Sequence, residues 1–282
     1  MYKMKGGEVM ERKIVEIAPR TWLISDYLLA NMFLLEGDEK ALLIDAGSGL
    51  GPLEEQVKSL TDKPLILALT HGHADHLGGC HLFPGVKSLI HPEDMFFAEE
   101  FTEAYAQEFI DNYVKTRGPV RNPEATDEDW KQIIRPYGPA EYGTLEDGEV
   151  FELGGRAVEV IHTPGHSMGS VCFLDHKERL LVTGDTVNDC LLLNFPPHTS
   201  TVAQYHESIQ KLWAREGEYD GLCQGHDTLT IADKSFITDY LTATEIILSG
   251  QASPQEIDDG IHKGLGIRCG KVRLYYDLNS IR

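Results

Sequence analysis

Hydrophobic residues in this chain switch several times between a two-residue period and a helical one, and the switches outline its organisation. Alternation and β-branched content predict a strand over 13–25, and residues 31–35 and 41–44 flank Gly37 and Asp38 as the two arms of a hairpin. After Pro64 the run Leu-Ile-Leu-Ala-Leu is continuously apolar, the pattern of a strand covered on both faces, and it stops at Thr70 immediately before a histidine cluster. A further strand is predicted over 86–91. A second β set opens near Arg156 with Ala-Val-Glu-Val-Ile, continues over 171–174, turns through 175–178 and resumes over 180–183. Helical spacing follows in Val202, Tyr205, Ile209, Leu212 and Trp213, then in Phe236, Ile237, Tyr240, Leu241 and Ile247, with Gly250 as a stop. Two β-rich halves flanked by helices predict an α/β (α+β) protein of two facing sheets in one domain over 1–282, with 231–282 as a C-terminal helical extension.

Residues 92–142 lie between the halves as a polar, helical insertion. Within it Phe97, Phe101, Tyr105, Phe109 and Tyr113 recur at a strict four-residue spacing. Steps of four overshoot a helical turn by about 40° each, so the row spirals and can touch two surfaces. Such rings either anchor the insertion to the core or belong to a lid that lines an apolar substrate pocket, Phe97 and Phe101 being the first candidates.

Composition narrows the class. The formal charge of −20, from 25 basic and 45 acidic residues, disfavours nucleic acid or an anionic membrane as partner, because no basic surplus replaces phosphate counterions. A small-molecule substrate is the expected partner. The amino terminus mixes charges with glycines, unlike a secretory or transit segment. The longest apolar stretch, over 27–35, is broken by Asn31 and falls far short of the roughly 20 residues that span a bilayer. Cytoplasm is therefore the expected location. Five cysteines, with no CxxC pair, fit reduced thiols rather than a disulfide framework.

The candidate chemistry sits in Thr70-His71-Gly72-His73-Ala74-Asp75-His76. His71, His73 and Asp75 share one parity if the segment is extended, while Gly72 and Ala74 are small enough to let an ion and a substrate approach. Four imidazole or carboxylate groups within six residues, with no hydrophobic pattern to explain them, point to metal ligation. His166, Asp185 and His226 recur where other strands are expected to end, the usual place for sites in layered α/β folds.

Through Thr-His-Gly-His-Ala-Asp-His-Leu-Gly-Gly (70–79), His-Thr-Pro-Gly-His-Ser (162–167), Gly-Asp-Thr (184–186) and Gly-His-Asp (225–227), the chain resembles the metallo-β-lactamase superfamily, and within it the glyoxalase II-like hydrolases. The resemblance spans roughly residues 14 to 230. It implies a four-layer αββα sandwich with a helical insertion. It also implies that His71, His73 and His166 hold one metal, that Asp75, His76 and His226 hold a second, and that Asp185 bridges them. Asp45 would then orient the histidine loop from behind, and His162 would support it by a structural hydrogen bond.

Two divalent ions carry four positive charges, of which Asp75, Asp185 and a bridging hydroxide remove three, so a Lewis-acidic centre remains to activate water and polarise a carbonyl. Asp75 and Asp185 are thus the expected catalytic carboxylates. Without a cysteine ligand the set suits zinc first and admits iron or manganese. Asn194, His198 and Tyr205 follow Asp185 closely enough to reach substrate, although a loop and a helix start explain them equally well. Cys80 beside the metal loop reads as packing rather than nucleophile.

The leading expectation is a two-metal hydrolase that cleaves a small thioester or carboxylic ester, with lactone opening close behind. Asp185 and His76 set the chain apart from the true β-lactamases, and no basic glutathione-binding motif follows His226. A mononuclear iron oxygenase resembling the persulfide dioxygenases, using His71, His166 and Asp185, is a different class. A non-catalytic regulatory protein with a residual metal site is a third.

Overall fold

The computed structural model describes residues 10–226 and 228–282; residues 1–9 of the amino terminus and Asp227 of the Gly-His-Asp motif lie outside the described residues. Seven strands make the first sheet in chain order: Ile14–Ala18, Thr21–Ser25, Asn31–Glu36, Ala41–Ile44, Leu65–Ala68, Ser88–Ile90 and Tyr142–Thr144. Its first four strands pair antiparallel through short turns. The last three join in parallel, because longer crossovers, including the helix Leu53–Leu60, return the chain to the same edge. The single strand expected over 13–25 is a hairpin. Its turn at Arg20, at φ +54°, carries no glycine to interrupt the alternation, and the Arg20 guanidinium is tied to Glu36 and Asp38 at 2.8 and 2.7 Å.

The second sheet runs Gly221–Gln224, Leu180–Gly184, Val171–Asp175, Ala157–His162 and Val150–Glu152. Residue parity decides what meets what. Phe33, Leu35, Leu42 and Ile44 of the first sheet pack against Val158, Val160, Val171, Phe173 and Val182 of the second. On the other face of the first sheet, Leu34, Leu43 and Leu67 meet Leu53 and Val57 of the helix Leu53–Leu60. On the other face of the second, Ile161, Cys172, Leu174 and Leu181 meet the helices Val202–Ala214 and Ser235–Leu248. The order helix, sheet, sheet, helix is the expected four-layer sandwich.

The C-terminal extension departs from expectation. Only Ser235–Leu248 of 231–282 is helical; beyond Gly250, left-handed at φ +74°, the strands Gln255–Asp258, Lys263–Cys269 and Val272–Tyr276 join Cys190–Leu193 in a third sheet. Cys190–Leu193 pairs in parallel with Val272–Tyr276, and a partner that distant in sequence leaves no local trace. The insertion is helical as expected, with helices Met95–Glu100, Glu103–Arg121 and Asp127–Ile133 before the closing strand Tyr142–Thr144. No helix among the described residues is long and apolar enough to cross a membrane. All five cysteines are free thiols.

Candidate metal centre

The buried strand Leu65–Ala68 delivers Thr70 to Asp45, whose carboxylate accepts the Thr70 backbone N–H at 2.7 Å and its hydroxyl at 2.8 Å. Asp45 is itself left-handed at φ +64°, a conformation an aspartate tolerates when, as here, its side chain is fully bonded. Its Oδ2 also lies 2.8 Å from His76 Nδ1, which fixes the ring with Nε2 facing the centre. Asp45 thus ties Thr70 to His76 across the histidine loop.

The common parity expected for His71, His73 and Asp75 does not hold. The chain is extended only as far as His73, whose carbonyl then accepts the N–H groups of His76 and Leu77 and starts the short helix Ala74–Leu77. That turn rotates Asp75 and His76 away from the first two histidines and divides the cluster between two donor sets. In one, His71, His73 and His166 bring ligand atoms within 4.8 Å of one another; in the other, Asp75, His76 and His226 do the same. Asp185, at the end of Leu180–Gly184, reaches both, with Oδ2 3.5 Å from His166 Nε2 and 3.1 Å from His226 Nε2, and Oδ1 3.5 Å from His76 Nε2. Nitrogens 2.0–2.1 Å from a tetrahedral ion stand about 3.3 Å apart. The His73–His166 and His76–His226 separations of 2.9 and 3.3 Å therefore suit ion binding, and all donors are hard or borderline nitrogens and oxygens.

Sequence reasoning missed several supporting groups. Asp94, fully buried at the head of the insertion, accepts Gly72 N–H at 2.8 Å, Ser167 Oγ–H at 2.6 Å and Gly169 N–H at 2.7 Å. One carboxylate therefore ties the loop of His71 and His73 to the loop of His166. Asn188 donates to Asp185 Oδ1 at 2.9 Å, and the Leu29 carbonyl accepts from His226 Nδ1 at 2.6 Å. Each lies outside the recognisable motifs, so only its partner reveals its role.

A cavity of about 410 Å³ opens over the donors. Phe97, Tyr105, Phe109, Leu192 and Phe195 form its apolar wall, and Asn188, Arg117, His198 and His262 add polar groups. Phe97 meets His73 edge-on at 5.0 Å, and Gly72 is required beneath it, since a Cβ there would come within 2.6 Å of the ring. The aromatic spiral does face two ways. Phe97, Tyr105, Phe109 and Tyr113 line the cavity, whereas Phe101 turns into the core at 6% exposure and does not contact substrate space.

His198 lines the cavity, whereas Tyr205 and Asn194 do not. Tyr205 is fully buried against Tyr240 and donates to the Thr186 carbonyl at 2.8 Å, because the apolar stripe that places it on its helix points to the core. Asn194 sits beside Gly264 under the third sheet, outside the cavity lining. His162 bonds the Met168 carbonyl at 2.9 Å and stacks on His91 at 4.0 Å, so it braces the loop end without touching a ligand. Cys80 is buried, and burial pushes its thiol up to about 12, which fits packing and not nucleophilic attack.

Electrostatics separates the two donor sets. Burial, reinforced by neighbouring imidazoles, holds His71 well below the usual histidine range and His73 at about 4; burial also lowers His166. Burial pulls His76 down as well, but Asp45, Asp185 and Asp75 outweigh it and raise the ring to about 10, and Asp185 likewise raises His226 against its burial. Burial would lift Asp75 and Asp185, yet the adjacent His76 and His226 keep both carboxyls low. With no ion bound, the first set is thus neutral and ready at pH 7, while His76 carries a proton that an ion must displace. An ion binding at Asp75, His76 and His226 would release at least about one proton at pH 7. Calorimetric titration in buffers of different ionisation enthalpy counts it, and buffer-independent heats for every ion taken up would refute this assignment.

The metallo-beta-lactamase superfamily model matches residues 26–226 of the chain. Acyl-coenzyme A thioesterase MBLAC2 of Gallus gallus is 30% identical over 226 residues, 73% of this chain and 76% of the relative. A hydroxyacylglutathione hydrolase of Francisella philomiragia is 25% identical over 199 residues, 71% of this chain and 64% of the relative. In fold, a metallo-beta-lactamase family protein from Thermus thermophilus superimposes with a TM-score of 0.56 at 24% identity, covering 85% of each chain. The motifs, the four layers and the converging His and Asp side chains agree with these likenesses, and the chain belongs to the metallo-beta-lactamase superfamily as a glyoxalase II-like, metal-dependent hydrolase.

Proposed function

We propose that this enzyme holds two divalent ions, zinc in the first instance, and hydrolyses acyl thioesters of small thiols whose acyl group is apolar. The observation that carries the reading is the pair of donor sets joined through Asp185 at the floor of an aromatic cavity. The thioesterase and hydroxyacylglutathione hydrolase names of its relatives point to the same bond. When bound, the ions supply Lewis acidity, which makes water nucleophilic at neutral pH and draws electron density from the scissile carbonyl.

The chain's own residues do the rest. Asp75 and Asp185 contribute two negative charges and the five imidazoles, neutral as ligands, contribute none, so the donor sets would leave two bound divalent ions net positive toward a developing oxyanion. Asp45 and the Leu29 carbonyl hold His76 and His226 in single orientations, which removes reorganisation from the reacting geometry. Phe97, Tyr105 and Phe109 exclude water and offer the acyl group an apolar wall, so the insertion acts as a specificity lid. A thiolate departs without a proton, its parent thiol having a pKa near 8.5, whereas an amide nitrogen needs protonation.

The test compares kcat/KM for a long-chain acyl thioester, an acetyl thioester, a lactone, a cephalosporin and an aryl phosphodiester under one zinc loading. The long-chain thioester is expected to lead, and Tyr105→Ala should raise KM for it more than for the acetyl compound. A tenfold lead by the cephalosporin or the phosphodiester, about 1.4 kcal/mol of transition-state preference, overturns the substrate assignment. Metal analysis of the purified chain accompanies it: about two zinc ions per chain fits the proposal, and a single iron favours oxygenase chemistry instead.

A further inference from the structure

The helix Glu103–Arg121 belongs to the insertion, yet one of its side chains touches a metal-ligand candidate. The Tyr113 hydroxyl lies 2.7 Å from Asp75 Oδ2 and 3.1 Å from the Leu29 carbonyl. It has one proton to give. The carboxylate is the charged and nearer acceptor, and the Leu29 carbonyl already accepts from His226 Nδ1 at 2.6 Å, so the proton goes to Asp75.

We propose that Tyr113 is a positioning residue that latches the insertion helix to Asp75, so that the Asp75, His76 and His226 subsite binds its ion tightly only while that helix is docked. This rests on the two-ion reading given above. Asp75 and His226 are both set from outside the short helix Ala74–Leu77: Asp75 by Tyr113, His226 by Leu29. His71 and His166 are held instead by Thr70 and the Leu192 carbonyl, and the loops of all three histidines of that set by Asp94. The hydroxyl's position depends on the helix because the Tyr113 ring is only 7% exposed, stacks on Phe109 at 4.9 Å and lies 4.8 Å beneath the Arg117 guanidinium. Ile110, one turn earlier, packs with Tyr113 in a cluster that includes Leu29, Leu50, Trp130 and Ile133. A carboxylate accepting one hydrogen bond keeps lone pairs for an ion, so the latch and the ligand role are compatible.

The test uses the full chain with Tyr113→Phe, which keeps the buried ring and removes the donor. Zinc affinities are read by chelator competition, alongside kcat and KM for an acyl thioester. The second zinc is expected to bind about 10- to 100-fold more weakly, the loss typical of removing a ligand's hydrogen-bond partner, with the first zinc unchanged. The same variant should lower kcat at subsaturating zinc while leaving KM unchanged, and excess zinc should restore the rate. Phe109→Leu, which disturbs the same packing but keeps the hydroxyl, should leave both affinities as they are. An unchanged second affinity in Tyr113→Phe, equal weakening of both ions, or the same loss in Phe109→Leu overturns the latch while the two-ion reading stands. A native chain that takes up one ion only overturns that reading and the latch with it.

Discussion

Asp185→Ala is expected to lower kcat/KM about a thousandfold or more, at least about 4 kcal/mol of transition-state stabilisation, while the chain stays folded. The reason is position. Asp185 has oxygens that reach imidazoles of both donor sets, His166 on one side and His76 and His226 on the other. Removing it subtracts one of the two carboxylates among the candidate ligands and leaves those imidazoles only Asp75 and, behind His76, Asp45 as counter-charges. Metal content should fall by most of one equivalent, since neither set keeps its shared donor. The fold should survive because the Asp185 side chain bonds polar groups, Asn188 and His226, and belongs to none of the hydrophobic clusters. Metal analysis, turnover and far-ultraviolet circular dichroism on one preparation decide it. An Asp185→Ala chain with its full metal complement and native turnover would remove the bridging role.

Asp94→Ala should act on stability and site together. It strands two buried donors, the Gly72 and Gly169 N–H groups, and leaves the Ser167 hydroxyl only Ser170 Oγ, 2.8 Å away, to turn to. Each unsatisfied group costs about 1–3 kcal/mol, and for two of them, allowing for partial relaxation, the loss should be roughly 2–4 kcal/mol. That is a large part of the 5–15 kcal/mol typical of a folded domain. Because Asp94 joins the loop of His71 and His73 to that of His166, the affinity of this set for its ion should fall more than that of Asp75, His76 and His226. Denaturant midpoints of the metal-free variant and native chain measure the first effect, and chelator competition the second. A midpoint shift worth less than about 1 kcal/mol would show that the loops hold themselves. Asp94→Asn should fall between, since its carbonyl keeps acceptor capacity while its amide faces donors.

Much of the site was legible because metal ligation uses few residue types at sites that strand ends expose. His71, His73, Asp75, His76, His166, Asp185 and His226 all converge as the motifs implied, and Asp45 holds His76 from behind. The route to that convergence was less legible. An extended parity for His71, His73 and Asp75 was a reasonable local expectation, but hydrogen bonds from His76 and Leu77 to the His73 carbonyl wind the segment into a helical turn. The donors divide between two sets for that reason.

Substrate-side residues were poorly legible, since proximity in sequence to Asp185 says nothing about direction. Tyr205 lies on a helix whose apolar stripe faces the core, and Asn194 sits beside Gly264, seventy residues later in the chain. His198 reaches the cavity because its loop doubles back over His166 and Phe97; Met168 N–H donates to the His198 carbonyl.

The sequence by itself determined the layers, the strand and helix periods, and the identity of the candidate metal donors, because these follow from side-chain chemistry and from patterns repeated within a few residues. Tertiary structure alone decided how those donors group, which aromatic rings of the insertion face the cavity, and which carboxylate and phenol brace the ligands. Asp94 meets Ser167 across 73 residues, and Tyr113 meets Asp75 across 38. Cys190–Leu193 likewise finds its strand partner only in Val272–Tyr276. Pairings at such separations follow from the packing of whole sheets and helices, and a local pattern of residues carries no record of them.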